Sequence, residues 1–177
     1  MVATVLAVVS VRSIGNAQAP ADGQEGALGV TDAAFVQMTI AMDDRALALY
    51  VLLQADSATL AGVAGQLAES HRAELLDLRV VLAAGGITED SGFDQSHDVP
   101  GLITGDDLVA VHQAAAADRD ALAIELIYQH LTQGVLLADG EQQSGRTPAA
   151  KALASRVKQS RTSQLGLLVN LPTTAPG

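Results

Sequence analysis

Residues 35–49 read FVQMTIAMDDRALAL. Phe35, Met38, Met42, Leu49 and then Leu53 recur at the spacing of one helical face, which makes this stretch an amphipathic α-helix. Asp43 and Asp44 interrupt that face. Two readings of them stand side by side: part of a metal site, or a solvated edge. The composition extends the helical reading to the whole chain. Its 49% hydrophobic residues are mostly Ala, Leu and Val, with two Phe, two Tyr and no Trp. Small and unbranched apolar residues suit close-packed helices better than a sheet sandwich.

The 177 residues suffice for one domain with a continuous core. Thr31-Asp32 offers an N-cap for the first long helix, which ends near Asp56. Ser57 caps a second helix, where Leu60, Val63, Leu67, His71, Leu75, Leu78 and Leu82 form one stripe up to Gly85-Gly86. Residues 86–103 form a long polar crossover. Thr104 with Asp107 then predicts a capping box for a short helix over Leu108 to Ala117. A third long helix carries Leu122, Leu126 and Ile127 and runs to about Leu137, closed by the turn DGEQQSGRT. Thr147 and Pro148 start a fourth helix that continues to about Val169. Two helix pairs joined by one long connection describe an all-α four-helix bundle, assigned to residues 31–170, with 171–177 as a tail.

The first ten residues, MVATVLAVVS, are too short to span a membrane but have the length of a signal-peptide core, and Ala17-Gln18-Ala19 supplies a small-x-small cleavage pattern. Residues 1–19 therefore read as a signal peptide or, if uncleaved, a membrane anchor, and 20–30 as a flexible tether. The expected location is extracytoplasmic: periplasm, cell surface or secreted. A net charge of −10 argues against nucleic acid as a partner, since backbone binding rests on Lys and Arg. Residues 86–120 hold eight acids against Arg119 alone, giving the fold an acidic end. The absence of Cys excludes disulfides, thiolate metal sites and Cys nucleophiles. No phosphate loop or nucleophile elbow is present, and the third and fourth helices offer too few inward acids for a di-iron oxidase. The chain is read as a non-enzyme.

The two halves also align. FVQMTIAMD, from Phe35, matches AIELIYQHL, from Ala123, placing Met42 on His130. VAGQLAESHRAELLDL, from Val63, matches LASRVKQSRTSQLGLL, from Leu153, placing His71 on Arg161 and Glu74 on Gln164. This is a weak internal repeat. In order and spacing, FVQMTIAMDDRAL, HRAELLDL, the loop Val99-Pro100-Gly101-Leu102 and the helix Asp107-Leu108-Val109-Ala110-Val111 resemble the bacterial domain-of-unknown-function family 305. The resemblance covers roughly residues 31–169. It implies an extracytoplasmic, ferritin-like four-helix bundle, with copper or other metal binding in some relatives through paired His and Met residues. The positions of those His pairs are Met42-Asp43 and His130-Leu131 here.

The candidate site is therefore His71 and Glu74, three apart on one helical face, with His130, Asp43 and Met42 from neighbouring helices. His and Met suit copper; His with carboxylate suits zinc, iron or manganese. The competing reading makes both histidines hydrogen-bonded core-edge residues and pairs Glu74 with an arginine. His97 and His112 are expected at the rim, with His97, Asp94 and Asp98 a loose cation site. As a function of another class, helix faces or the long loop would contact an envelope protein partner.

Overall fold

The sequence's run of good helix formers, broken by Gly and Pro only between segments, translates directly into structure. The computed structural model describes residues 27–93 and 99–171. It holds the helices α1 (Val30–Asp56), α2 (Ala61–Ala84), α3 (Gly105–Gln113), α4 (Ala116–Ser144) and α5 (Pro148–Val169), and no strand among the described residues. α1 packs along α2 and α4 along α5; the two pairs meet with α1 on α4 and α2 on α5. The short α3 lies against α1 and α4. This is the all-α four-helix bundle with one long crossover and a short extra helix that the sequence predicts.

The apolar interior is divided in two. One cluster joins Leu49, Tyr50, Leu53, Leu60, Leu67 and Ile127 with Ile103 and Val111 from the crossover and α3. The other joins Phe35, Val36, Ile40, Leu75, Leu78, Leu82, Leu153 and Val157. Near the junction of these clusters lie the buried polar residues Asp43, His71, His130 and Arg161. A polar layer thus crosses the middle of the bundle, with one residue from each long helix.

The ends are closed by specific bonds. The capping box Thr104–Asp107 forms as predicted, with Asp107 N donating to Thr104 Oγ1 at 3.1 Å and Thr104 N to Asp107 Oδ2 at 2.8 Å. Thr147 caps α5, accepting from Ala150 N at 3.3 Å. Asp32, expected beside the N-cap of α1, instead sits inside the helix behind an N-cap at Gly29. From there its carboxylate accepts from Gly29 N at 2.8 Å and, across the fold, from Arg146 N at 2.6 Å and Thr147 N at 3.2 Å. Burial raises its pKa, but these backbone donors prevail and hold it below the usual carboxylate value. Asp32→Asn turns an amide N–H toward a backbone N–H at one of these contacts, and a loss of about 2 kcal/mol is expected in urea denaturation. An unchanged midpoint would show that the fastening is dispensable.

Three boundaries differ from the sequence reading. α2 begins at Ala61, with Ser57 three residues ahead of the N-cap Leu60 and accepting from its N–H at 3.0 Å. α3 spans Gly105–Gln113 rather than Leu108 to Ala117, because Thr104 starts it at once. α4 continues through DGEQQS to Ser144, where a turn was expected. Ala138 and Glu141 remain on its buried face, and Gly140 lies outside, where its helix cost of about 1 kcal/mol is too small to stop the run. The predicted leader, most of the tether, all but residue 171 of the tail, and His97 with Asp94 and Asp98 lie outside the described residues.

Candidate metal centre

The polar layer is built from the facing sides of four helices. His71 of α2 donates Nδ1–H to Leu67 O at 2.9 Å, one turn back on its own helix. That bond fixes the tautomer and leaves Nε2 as a lone pair. His71 Nε2 points at His130 Nε2 of α4, 3.0 Å away, with the rings at a centroid distance of 5.3 Å. Asp43 Oδ1 of α1 stands 3.7 Å from His71 Nε2 and 3.6 Å from His130 Nε2. Asp43, His71 and His130 therefore converge, each offering one ligand atom within 4.8 Å of the others. Tyr50 closes one side, its hydroxyl 3.4 Å from His71 Nε2.

α5 supplies the countercharge. Arg161 Nη2 donates to Asp43 Oδ1 at 2.5 Å and to Glu74 Oε1 at 2.6 Å, and Nη1 donates to Gln164 Oε1 at 3.3 Å. Gln164 passes the network on to Ser70 at 2.9 Å and Ser160 at 3.1 Å. Arg161 fits because α4 has Gly134 opposite it; a Cβ there would lie 3.0 Å from Arg161 Nε and 3.2 Å from its Cγ. The crossover presses on the same helix. Gly101, at φ +76°, sits so close to α4 that a Cβ would come within 2.6 Å of the carbonyl oxygen of Gln129, beside His130. The Val-Pro-Gly-Leu loop thus requires glycine on both counts.

Burial dominates the electrostatics. His71 is 0% and His130 1% exposed. Burial pushes His71 well below the usual imidazole value, helped by the charge of Arg161 and by the repulsion that two protonated rings would feel. It brings His130 down to about 3, with Arg161 acting in the same direction. Both rings are neutral at pH 7, as metal ligation needs. Burial also drives the carboxyl of Asp43 upward against the pull of Arg161, with Glu74 adding to the rise. One guanidinium faces two carboxylates, so the layer is short of positive charge. Asp43 Oδ2 and His130 Nδ1 are buried and make no well-formed hydrogen bond among the described residues, although Glu74 lies against the Asp43 carboxyl and the Gly101 backbone against His130.

The family model described as Domain of unknown function (DUF305) matches residues 32–171. The chain belongs to this family. Its fold is also that of solved DUF305 structures. A DUF305 fragment from Deinococcus radiodurans aligns with a TM-score of 0.70 at 13% identity, over 81% of this chain and 95% of that one. A DUF305 protein from Streptomyces coelicolor, described as a candidate secreted protein, aligns with a TM-score of 0.69 at 16% identity, over 80% and 91%. No curated protein matches the chain.

Of the site residues expected from sequence, this DUF305 chain brings together His71, His130 and Asp43. Glu74 is held by Arg161 instead, the arginine pairing foreseen in the competing reading. Met42 is buried next to Asp43, but successive residues of a helix do not face the same way, so it does not share the aim of Asp43. Asp44 pairs with Arg79 at 2.7 Å on the surface, and His112 with Asp56 at 3.0 Å, as fits a solvated edge and a rim. Arg161 and Gln164 were missed as site residues, although the internal repeat had already set them opposite His71 and Glu74.

Proposed function

We propose that this DUF305 protein is an extracytoplasmic, non-catalytic metal-binding bundle, taking one divalent transition ion of the copper or zinc class on Asp43, His71 and His130. The observation that carries the reading is the donor triangle. Two Nε2 atoms 3.0 Å apart can share an ion at about 2.0–2.1 Å from each. Asp43 Oδ1, at 3.6 and 3.7 Å, is within reach of the same ion after a small shift, and Asp43 Oδ2 makes no well-formed hydrogen bond among the described residues. Two neutral imidazoles with a carboxylate suit zinc, and imidazole also suits copper. The buried donors leave no open face for a substrate, which favours binding over catalysis. The cost is Arg161: an ion on Asp43 competes with the guanidinium already there, so affinity is expected in the micromolar range rather than tighter.

A predicted leader in residues 1–19 and the likeness to the Streptomyces protein support the extracytoplasmic placement. Titration calorimetry with Cu(II) and with Zn(II) on the metal-free chain tests the reading. One ion per chain is expected, with binding lost in His71→Ala and in His130→Ala while both variants keep their helical circular dichroism. Undiminished binding in both variants would assign the metal elsewhere, and no binding by the parent chain would end the proposal. The second reading, an accessory subunit of an envelope complex, draws on Leu76 and Val80, one turn apart on α2 and 68% and 67% exposed. Recovery of a defined envelope partner by the parent chain but not by Leu76→Glu/Val80→Glu would favour it.

A further inference from the structure

About 16 Å along α4 from His130, eleven residues at the helical rise, a separate groove opens between α1 and α4. Its volume is about 370 Å³, and its walls include Phe35, Met38, Phe93 and Leu137. That is within the range of small-molecule pockets, which are mostly apolar with a few placed polar groups. One polar group here is unusual. Glu141 lines the groove, is 2% exposed, and receives no hydrogen bond from any N–H group among the described residues; its side-chain partner is the carboxyl of Asp32. Two carboxyls that meet in a buried site can share one proton, but the pair keeps a negative charge that is costly to bury without a cation.

The charge around Glu141 says what would complete it. Its partner Asp32 also accepts from the backbone N–H groups of Gly29, Arg146 and Thr147, which hold Asp32 ionised and leave the shared proton on Glu141. Lys151 supplies an opposing but smaller influence. The polar end of the groove is thus acidic, with Glu141 the carboxyl that no N–H group engages. A carboxylate head would be repelled there, and a hydroxyl would satisfy one oxygen without answering the charge. An ammonium supplies three donors and a positive charge in one small group.

We propose that this groove binds a small amphiphile with a primary ammonium head, its hydrocarbon body against Phe35, Met38 and Leu137 and its head on Glu141. The site is separate from the polar layer and stands independently of metal binding there. Two substitutions test it without breaking the fold. Glu141→Gln keeps the shape and removes the charge. Gly140→Leu fills the groove from a helix position where a Cβ meets nothing within 4 Å, and it raises helix propensity.

The experiment is calorimetric titration of the full chain, in the presence of a chelator, with n-octylamine, n-octanol and octanoate below their aggregation limits. Octylamine is expected to bind one per chain, octanol more weakly and octanoate not measurably. Glu141→Gln is expected to weaken octylamine about tenfold or more, the worth of one charge-assisted bond. Gly140→Leu is expected to abolish binding while its thermal midpoint holds or rises. Equal affinity for octylamine and octanoate, an unaltered Glu141→Gln isotherm, or no octylamine binding would each overturn the proposal. So would concentration-dependent dimerisation abolished by Gly140→Leu, which would assign the groove to a second copy of the chain.

Discussion

Replacing Arg161 with methionine is expected to lower the unfolding free energy by about 3–5 kcal/mol, the usual cost of removing one partner from a buried ion pair. Arg161 and Asp43 are each 1% exposed in their side chains, so water cannot take over the guanidinium's role. The first consequence falls on Asp43, to which Arg161 donates directly and whose second oxygen has no donor among the described residues. Glu74 suffers less because its side chain is 9% exposed and can turn outward. A second substitution distinguishes lost charge pairing from lost packing. Adding Asp43→Leu to Arg161→Met removes the stranded carboxylate and is expected to recover about half of the loss or more, since an apolar replacement of a buried pair is often neutral. Urea denaturation of the single and double variants measures both. If the double variant is less stable than Arg161→Met alone, the guanidinium was acting through its stem against Gly134 and not through its charge.

Acidification is expected to produce the second large effect. Both histidines are shifted downward by burial, His130 to about 3, so between pH 6.5 and 4.5 the unfolded chain takes up protons that the folded chain refuses. Stability is therefore full above pH 6.5 and falls as pH drops, by about 1.4 kcal/mol per pH unit for each histidine. Glu141 slopes the other way. Burial and the Asp32 carboxylate raise it to about 7, so it stabilises the fold at low pH and loses that contribution as pH rises from 4.5 through 7. Asp43, also raised, shares the sign of Glu141. The histidine effect is isolated by comparison: from pH 6.5 to 4.5, with chelator present, the parent chain is expected to lose about 2–3 kcal/mol more than His130→Gln. Parallel stability curves for the two proteins would mean that His130 already carries its proton in the folded state.

The helices were legible in the sequence because their signals are local. The stripe from Phe35 to Leu53, the capping box at Thr104 and the Thr147-Pro148 start each involve residues a few positions apart. Boundaries failed where a distant contact decided them. Asp32 leaves the N-cap because its carboxylate is engaged by residues 114 and 115 positions away. α4 outruns its expected turn because Glu141 stays on the buried face. The candidate site shows the same division. His71, His130 and Asp43 could be named because helical spacing put His71 on the inward stripe and the family resemblance marked Asp43 and His130 as positions of its His pairs. Glu74 could not be separated from them, since its partner Arg161 lies 87 positions on. Its identity was visible as a residue standing where a histidine would repeat, but its role depends on Gly134 leaving room for it.

The placement of the polar layer has a consequence for how the four helices are aligned. Their apolar faces are largely Ala and Leu, and such faces tolerate sliding: one helix displaced by a turn or two still sets hydrocarbon against hydrocarbon. Asp43, His71, His130 and Arg161 do not tolerate it, because each comes from a different helix and all four must arrive at one height. Displacing α5 by one turn, about 5.4 Å, would carry the guanidinium into one of the apolar clusters and strand Asp43 in the middle of the bundle. The layer therefore works as a dowel through four otherwise interchangeable rods, fixing their register whether or not an ion is bound.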